Sequence, residues 1–399
     1  MRTKALQVVT PQGSSGILEK ESNFVFNYQT KDPTCEASLA LPLRAESYSS
    51  GALFSVFQMN RPEGYLLESL KQRFAKQINL DDMEFLRITG QNQIGRLRYS
   101  VPDAEIKSDA LRPQRLSRKE IVESKASDEL FEHLIDIYFA SGISGFQPKV
   151  MVPSDESVVS EKTALYISDL IVKAAGEDYP FLAQNEFLCM EVARQAGLMV
   201  PEFWLSNDGK LFVSSRFDLR ESAQLGLEDM AVLMTKSNDQ KYQGSYEGIA
   251  KVIDLFCGSN GQESKARLFE YVALSCLVKN GDAHLKNFSL IYDSPRGDVR
   301  LSPLYDVVTT TVYSHQSPKT GATKVDRTLA LNLNRTKSYP VPKELEAFGE
   351  KICLVRNPRE VIEKIRDAQH EVCKLHADHI DPDFLVAMKS EWGLEDRAC

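Results

Sequence analysis

The sequence predicts an α+β fold with two lobes. Short strand-like runs are concentrated before about residue 226, and apolar residues at helical spacing dominate after it. A single predicted hairpin, FSLIYDSPRGDVRLSPLY, interrupts the helical part. An order of strands with one helix, followed by helices with one hairpin, favours two packed lobes with a ligand cleft at their seam.

Length and composition exclude several classes of protein. The chain has 399 residues, of which 42% are hydrophobic and 26% are charged, so it can bury a sizeable core and suits two or three domains. Disorder, collagen and coiled coil do not describe such a chain. The net charge of −8 is unlike that of a dedicated nucleic-acid binder, so any DNA contact is expected through a local patch or a partner.

Cysteine usage and the N-terminus indicate a cytoplasmic protein. The seven cysteines are widely spaced and no CxxC motif occurs, which is typical of reduced thiols. The N-terminus lacks the apolar core of a signal peptide, and no apolar run reaches the roughly 18 residues of a membrane span. We therefore expect no membrane contact.

The first predicted domain is 1–110, a small α/β unit. FVFNY (24–28) and ASLALPL (37–43) predict strands, Tyr65 to Gln77 predicts a helix, and MEFLRIT and GRLRYSV predict strands around the turn GQNQ. Polar residues from about 106 onward predict a linker, assigned to 111–127. We interpret it as a solvated tether; its arginines and lysines leave a phosphate-facing patch as the alternative.

The second predicted domain is 128–225. A helix from Glu129 to Phe139 is followed by the glycine-containing turn SGISGFQPK, the strand VMV and the strand ALYISDLIVKAA, which carries Lys173. A helix, NEFLCMEVARQAG, is predicted to end at Gly197, because glycine tolerates left-handed angles. EFWLS and LFVSSRFD then predict a hairpin around Asn207-Asp208-Gly209.

The third predicted domain, 226–399, contains the strongest chemical signal, NGDAHLKNFSLIYDSPRGDVRLSPLYDVV. Phosphoryl transfer needs a carboxylate that orients the attacking hydroxyl, and an amide oxygen plus a second carboxylate that hold Mg²⁺. Asp282 and Asn287 have the spacing of the base and the metal-binding Asn in a protein-kinase loop. We expect a hairpin to return Asp306 close to Asn287. A polar turn followed by an ordinary hairpin is the alternative.

Two weaker signals precede it. In SGISGFQPK, Gly142 and Gly145 would let backbone N–H groups approach phosphates, with Lys149 adding positive charge, although a flexible turn fits equally well. Lys173 alone could be a solvent-facing strand residue. The order of a glycine loop, a strand lysine, a helix with acidic residues (Glu186 and Glu191), a hinge-like strand, the DxxxxN motif and a later Asp is nevertheless the order of parts in a protein kinase.

These blocks resemble the HipA family of serine/threonine kinases, the toxin halves of bacterial toxin–antitoxin pairs. SGISGFQPK is similar to the family's glycine loop, and NEFLCMEVARQAGLMVPE, SSRFD, NGDAHLKNFS and LSPLYDVV resemble its other blocks in the family's order. SLALPL and ITGQNQIGRLRY resemble the family's small N-terminal subdomain. The resemblance covers nearly the whole chain and implies a two-lobed protein-kinase-like HipA fold with a mostly helical C-terminal lobe.

The resemblance also implies a role for each matching residue. Asp282 would be the catalytic base, and Asn287 and Asp306 would hold Mg²⁺. The residues implied to bind ATP are Lys149, Lys173, Arg216, Phe217, Asp218, His284, Lys286, Ser144 and Gly145. Among these, Arg216 and Phe217 would belong to a hinge that receives adenine, and Asp218 would touch the ribose.

The sequence departs from the family at one position of the loop. The serine that family members often autophosphorylate is replaced here by Gly142, and the third loop position is Ser144. We expect Ser144 to be the autophosphorylation site, with Ser141 as the second candidate. A phosphate adds about −1.5 to −2 charges next to the ATP phosphates, which would inhibit the enzyme. An unmodified turn serine is the alternative.

The resemblance implies partners as well. They are a helix-turn-helix antitoxin similar to HipB, operator DNA reached mainly through that antitoxin, and a protein substrate, for which an aminoacyl-tRNA synthetase is expected. Two other functions remain open: a small-molecule kinase, and a nucleotide-sensing subunit of a repressor complex. Near the C-terminus, QHEVCKLHADH could supply zinc ligands, although an amphipathic helix with exposed histidines explains it better.

Overall fold

The computed structural model describes residues 3–59, 81–90, 93–102, 117–125, 127–142, 163–167, 169–174, 179–220, 223–316 and 322–394. Three predicted elements lie outside these residues: the helix from Tyr65 to Gln77, the turn after residue 142 and the strand VMV.

A five-stranded antiparallel sheet forms the N-terminal domain, in the order β4-β3-β2-β1-β5. The strands are β1 (Ala5–Thr10), β2 (Gly13–Lys20), β3 (Phe24–Tyr28), β4 (Tyr48–Ser50) and β5 (Arg98–Ser100). Helices α1 (Ser55–Gln58) and α2 (Asp82–Thr89) accompany them. Residues of β1 alternate between buried and partly exposed positions, as expected for a sheet with one face on a core. Phe26, Phe57 and Tyr99 meet edge to face in that core.

Two predicted strands of this domain are wrong. MEFLRIT is helix α2, because Asp81 caps it by accepting hydrogen bonds from the backbone N–H groups of Met83 and Glu84. ASLALPL forms no strand and is reduced to a single bridge between Ser38 and Leu41. The backbone there instead turns toward the side chain of Glu228, which binds Ser38 and Leu39.

The predicted linker is partly helical. Helix α3 (Arg118–Val122) begins with a reciprocal capping box between Ser117 and Glu120. The Arg118 guanidinium lies 4.5 Å from the centre of the Trp204 ring. This arginine therefore stacks on a protein ring, while its side chain stays exposed. The predicted helix that follows is confirmed as α4 (Ser127–Gly142).

A four-stranded antiparallel sheet with one helix forms the next unit. The sheet order is β6-β7-β9-β8, from β6 (Thr163–Ile167), β7 (Leu170–Ala174), β8 (Phe203–Leu205) and β9 (Leu211–Ser215), and helix α5 is Leu182–Gln195. ALYISDLIVKAA is two paired strands rather than the single strand predicted. Gly197 and Gly209 adopt left-handed φ angles of 82° and 72°, as the predicted helix end and hairpin require.

Helices dominate the rest of the chain, as predicted. They are α6 (Met230–Leu233), α7 (Tyr246–Phe256), α8 (Gly261–Leu277), α9 (Pro342–Lys351), α10 (Pro358–Leu375) and α11 (Pro382–Trp392). Short strands lie between them: β10 (Leu219–Arg220), β11 (Ala223–Gln224), β12 (Gly226–Asp229), β13 (Ser289–Tyr292), β14 (Arg300–Leu301), β15 (His315–Gln316), β16 (Thr323–Lys324), β17 (Thr328–Leu333) and β18 (Thr336–Ser338). One continuous core joins α5 and β9 to α7, α8 and α10.

The predicted hairpin is shorter than expected and gains a third strand. Its second strand ends at Leu301, two residues before Pro303, so Asp306 lies in a segment without regular secondary structure rather than at a strand end. Strand β12 pairs with β13 to give a sheet in the order β12-β13-β14. Asp229 of β12 therefore stands opposite Ser289, two residues after Asn287.

Six cysteines of the described residues are free and buried, as expected for reduced thiols. His376 of the C-terminal histidine segment contacts the ring of Phe187 and lies 3.7 Å from Glu191. The described residues contain no group of three or more side chains arranged to hold a metal ion. None of the helices in the described residues is long and apolar enough to cross a membrane.

A polar seam joins the N-terminal domain to the rest of the chain. We define the seam as the contacts of Asp218, Glu228, Tyr292 and Arg296 with residues 36–39 and 93–96. Glu228 accepts hydrogen bonds from Ser38 Oγ (2.6 Å), from the Leu39 backbone N–H (2.8 Å) and from the Tyr292 hydroxyl. At its edge, Arg296 makes two hydrogen bonds to the Glu36 carboxylate, at 2.9 and 2.7 Å.

Candidate active site

The strand lysine is paired as a kinase lysine would be. Lys173 lies on β7, and its Nζ donates to Glu186 Oε1 of helix α5 at 2.5 Å. Glu186 is buried, whereas 12% of the Lys173 side chain is exposed. A buried carboxylate next to the ammonium group fixes the position of Nζ. Of the acidic residues named for this helix in the sequence analysis, Glu186 is the one that pairs with Lys173.

The same ammonium group reaches the later aspartate. Lys173 Nζ lies 3.1 Å from Asp306 Oδ1, so one cation connects strand β7, helix α5 and the segment after β14. Asp306 has a left-handed backbone with φ of 62°, which is uncommon for a non-glycine residue and is found at functional sites. Asn185 holds the segment after Asp306 in place, because its side chain forms hydrogen bonds with both the N–H and the carbonyl of Thr309.

The loop that carries Asp282 begins where helix α8 ends. Lys279 takes the left-handed angle (φ 58°) that reverses the chain. Gly281 is needed for close approach, since a Cβ there would lie 2.7 Å from the Thr328 carbonyl oxygen. Asn280 Oδ1 accepts a hydrogen bond from the Asp282 N–H at 3.0 Å and so fixes the backbone of the predicted base.

The Asn287 side chain connects Asp282 and Asp306 by binding the backbone of both residues. A short 3₁₀ turn, Leu285–Asn287, brings its side chain back toward the start of the loop. Its Nδ2 donates to the carbonyl oxygens of Asp282 (2.9 Å) and Asp306 (3.4 Å). The hairpin therefore brings Asp282, Asn287 and Asp306 together, as predicted from the sequence.

This donor set fits Mg²⁺. The amide nitrogen of Asn287 is engaged by carbonyl groups, which leaves its Oδ1 as the atom that a cation would contact. Asp306 keeps 26% of its side chain exposed and adds a carboxylate. Oxygen ligands from one or two protein side chains, completed by phosphate oxygens and water, are the usual environment of Mg²⁺ in phosphoryl transfer.

The two basic residues of the loop differ in their surroundings. His284 is buried, which lowers its pKa, so the imidazole is neutral near pH 7. Its Nε2 lies 3.9 Å from Asp282 Oδ1, too far for a hydrogen bond. Lys286 is directed toward Asn238, with its Nζ 3.3 Å from Oδ1 of that residue. Their expected phosphate contacts stay predictions.

Sequence reasoning missed one residue at the site. The hydroxyl of Tyr242 donates to Asp282 Oδ1 at 2.8 Å. No motif marks this tyrosine, because it lies forty residues before Asp282 in an irregular loop. Tyr242 reaches the carboxylate only because its loop packs against the loop that carries Asp282.

The expected hinge residues contact the N-terminal domain. Arg216 and Asp218 form a two-point ion pair, with Nε–Oδ1 and Nη2–Oδ2 distances of 3.0 and 2.7 Å. Asp218 Oδ2 also accepts the Gly95 N–H at 2.8 Å, and Arg216 donates to the Gln93 carbonyl. Asp218 has no exposed surface, so a ribose would reach it only after Gly95 moves away. The nucleotide contacts of this pair stay predictions.

Phe217 lies next to the segment that carries Asp306, and its expected contact with adenine stays a prediction. Its ring lies 5.6 Å from that of Tyr305, the residue directly before Asp306. Ser144, Gly145 and Lys149 of the predicted loop lie outside the described residues, and Ser141 is in the last turn of helix α4. Their expected roles are not tested by this structure.

Known proteins resemble this chain in sequence. The chain matches the model of the HipA N-terminal domain over residues 6–100 and that of the HipA-like C-terminal domain over residues 141–373. Among curated relatives, a Haemophilus influenzae protein named "Putative kinase" is 29% identical over 268 residues, which are 60% of this chain and 76% of that protein. The Sinorhizobium fredii protein "Putative kinase Y4dM" is 30% identical over 222 residues, about half of each chain.

A solved structure has the same fold. HipA of Shewanella oneidensis, in its complex with HipB and operator DNA, superposes with a TM-score of 0.69 at 20% identity, covering 97% of this chain and 95% of that one. This likeness confirms the predicted two-lobed, kinase-like α+β fold. Together with a C-terminal family model that matches more than half of the residues, it leads to one conclusion: the chain belongs to the HipA family.

Proposed function

We propose that this protein is a Mg²⁺- and ATP-dependent protein serine/threonine kinase that acts as the toxin of a toxin–antitoxin pair. One observation carries the proposal: Lys173 Nζ binds both Glu186 and Asp306, while Asn287 binds the backbones of Asp282 and Asp306. A strand lysine, its helix glutamate, a base candidate and two metal-ligand candidates are thus assembled in one cleft, which is the arrangement phosphoryl transfer requires.

Each residue has a distinct task in this proposal. Mg²⁺, when bound, neutralises charge on the phosphates and would be held by Asn287 and Asp306. Lys173, fixed by Glu186, places a positive charge where the phosphates of ATP lie. Asp282 accepts the proton of the attacking serine or threonine hydroxyl, and its side chain is 39% exposed, so an acceptor can reach it.

Regulation and partners follow from the family. We propose that Ser144, or Ser141, is autophosphorylated and that the added charge inhibits ATP binding. We further propose a HipB-like helix-turn-helix antitoxin as the partner, with operator DNA bound mainly through it, and an aminoacyl-tRNA synthetase as the substrate. Support for the antitoxin is the likeness to Shewanella HipA, a protein solved with HipB and DNA; the net charge of −8 agrees with DNA contact through a partner.

The test is intact-mass and phosphopeptide analysis of the purified protein after incubation with Mg²⁺ and ATP. Asp282→Asn is the inactive variant, and Asp293→Asn is the control, because it removes an exposed carboxylate at the far end of the same hairpin. We expect phosphate at Ser144 or Ser141 in the wild type and the control, and a loss of about 10²-fold or more in Asp282→Asn.

Other outcomes favour other functions. ATP turnover without protein labelling would indicate a small-molecule kinase. Nucleotide binding without turnover would indicate a nucleotide-sensing subunit. Phosphate found only at sites other than Ser144 and Ser141 would contradict the proposed autophosphorylation while leaving the kinase activity in place.

A further inference from the structure

The loop formed by residues 236–244 lies against the loop that carries Asp282. The Leu285 N–H donates to the Lys241 carbonyl at 3.1 Å, and Lys286 Nζ reaches Asn238 at 3.3 Å. At the other end of the loop, the Asn332 N–H of strand β17 donates to the Gly244 carbonyl at 3.1 Å. The 236–244 loop is therefore fixed to the catalytic loop and to a neighbouring strand.

Tyr242 is the residue of this loop that reaches the predicted base. Its hydroxyl is 2.8 Å from Asp282 Oδ1, and its ring stands edge-on to His284, with 5.1 Å between ring centres. The carbonyl of Tyr242 accepts a hydrogen bond from Lys337 Nζ at 3.3 Å. Backbone, ring and hydroxyl are thus each held by a different neighbour.

These contacts do not serve to bury the tyrosine. Tyr242 is 41% exposed, so its ring contributes little to a core. The Asp282 side chain is also 39% exposed, and a carboxylate that is not fully enclosed can rotate unless a donor holds it. Within the described part of the chain, Tyr242 is the residue whose side chain donates a hydrogen bond to that carboxylate.

We propose that Tyr242 is a positioning residue for the catalytic base. By binding Oδ1, its hydroxyl fixes the rotation of the Asp282 carboxylate, which leaves Oδ2 to accept the proton of the substrate hydroxyl. A carboxylate offers two oxygens with about four acceptor positions, so both hydrogen bonds can form together. The neighbouring imidazole does not replace this donor, since its Nε2 is 3.9 Å away. This inference rests on the proposed kinase activity and adds a residue to it.

The first test compares Tyr242→Phe with Tyr48→Phe. Both changes remove one hydroxyl that donates a hydrogen bond, and Tyr48 lies in the N-terminal domain, where its hydroxyl binds the Pro42 carbonyl at 2.6 Å. With Mg²⁺, ATP and dephosphorylated casein as the hydroxyl acceptor, Tyr242→Phe should lower kcat about tenfold, equivalent to about 1.4 kcal/mol. The KM for ATP should change less than about twofold, since ground-state binding of ATP is untouched. Tyr48→Phe should leave both constants unchanged.

A double mutant separates positioning from a merely structural role. If Tyr242 acts through Asp282, adding Tyr242→Phe to Asp282→Asn should cause no further loss of activity, because the two residues act as one unit. An unchanged kcat in Tyr242→Phe would overturn the proposal. An increase in kcat/KM for casein would also overturn it, because it would show that the tyrosine blocks the acceptor position.

A crystal structure of Tyr242→Phe makes the test independent of activity. We expect the Asp282 carboxylate to rotate away from its wild-type orientation once the hydroxyl is absent. An unchanged orientation contradicts the positioning role. If the wild type proves inactive with every acceptor, the proposed function fails, while the orientation of Asp282 in the two structures still decides whether Tyr242 positions it.

Discussion

The candidate active-site cleft (Lys173, Asp282, Asn287 and Asp306) and the polar seam contain similar side chains, but they differ in how far these side chains are buried. In the cleft, Asp282 and Asp306 keep 39% and 26% of their side chains exposed. In the seam, Asp218 is 0% exposed and Glu228 is 1% exposed. Both regions contain carboxylates bound by cations and hydroxyls, yet only the carboxylates of the cleft keep a substantial part of their surface open to solvent.

The difference indicates what each region is built for. A buried carboxylate whose hydrogen bonds are satisfied by protein resists replacement, because removing one partner leaves another polar group unpaired. A half-exposed carboxylate can exchange its partners for water, metal or substrate. We therefore expect variants of the cleft to change activity most, and variants of the seam to change stability most.

The largest expected effect comes from Lys173, because its substitution should change both activity and stability. Lys173→Met removes the charge from the proposed phosphate site, and we expect phosphotransfer to fall about 10²- to 10³-fold. It also leaves Glu186 buried without this cation, which should lower the free energy of unfolding by about 3 kcal/mol. Radiolabel transfer and urea unfolding measure the two effects.

A second variant separates the two roles of Lys173. Lys173→Met combined with Glu186→Gln removes both charges of the pair and should recover most of the lost stability, while phosphotransfer stays low. Recovery of phosphotransfer in the double variant would show that the lysine acts in folding alone.

Glu228 should give the largest loss of stability in the seam. Glu228→Ala leaves Ser38, Leu39 and Tyr292 without their shared acceptor, and we expect the free energy of unfolding to fall by about 3 kcal/mol. Phosphotransfer per folded molecule should not change. A selective loss of kcat, with the protein still folded, would contradict the separation between seam and cleft.

The same residue predicts a pH dependence. Burial raises the pKa of Glu228, so the folded state holds this proton to a higher pH than the unfolded chain does. Between the two pKa values the folded state binds more protons, and its stability therefore falls as pH rises from about 4.5. Above the raised pKa this penalty is complete.

Glu228→Gln is the matched variant for that measurement. The amide does not titrate, so the stability advantage of the wild type over the variant should shrink as pH rises through the window. Taking this difference cancels carboxyls such as Asp208, whose lowered pKa acts in the opposite direction. A difference that does not depend on pH would show that Glu228 stays ionised in the folded state.

The smallest effect is expected at the edge of the seam. Arg296 is exposed, but it contacts a buried carboxylate, Glu36, and we expect Arg296→Ala to lower the free energy of unfolding. The control is Arg359→Ala, which breaks an exposed helix pair with Glu363 and should lower it less, because water replaces both partners of that pair. Equal losses in urea unfolding would mean that the Glu36 contact adds nothing beyond a surface ion pair.

The sequence was sufficient wherever chemistry depends on local spacing. Asp282, Asn287 and Asp306 are brought together by one turn and one hairpin, so their convergence could be predicted from order alone. Gly197 and Gly209 follow from the backbone angles that a helix end and a hairpin require. Such features need no knowledge of distant parts of the chain.

The errors arose where distant contacts decide the structure. ASLALPL has the composition of a strand, but Ser38 and Leu39 bind Glu228, which lies 190 and 189 residues away along the chain. MEFLRIT contains β-favouring residues, but the cap at Asp81 and the core spacing of Met83 and Leu86 favour a helix. Tyr242 could not be found because no local motif links it to Asp282.

The left-handed backbone of Asp306 has a consequence for how this protein can evolve. Glycine would occupy φ of 62° with less strain, and non-glycine residues in this region cost about 1 kcal/mol or more. Selection for thermal stability alone would thus favour Asp306→Gly, which would also delete a ligand of the proposed metal site. Under the proposed function, retaining aspartate here exchanges stability for activity, and a duplicated copy freed from catalysis is expected to lose it early.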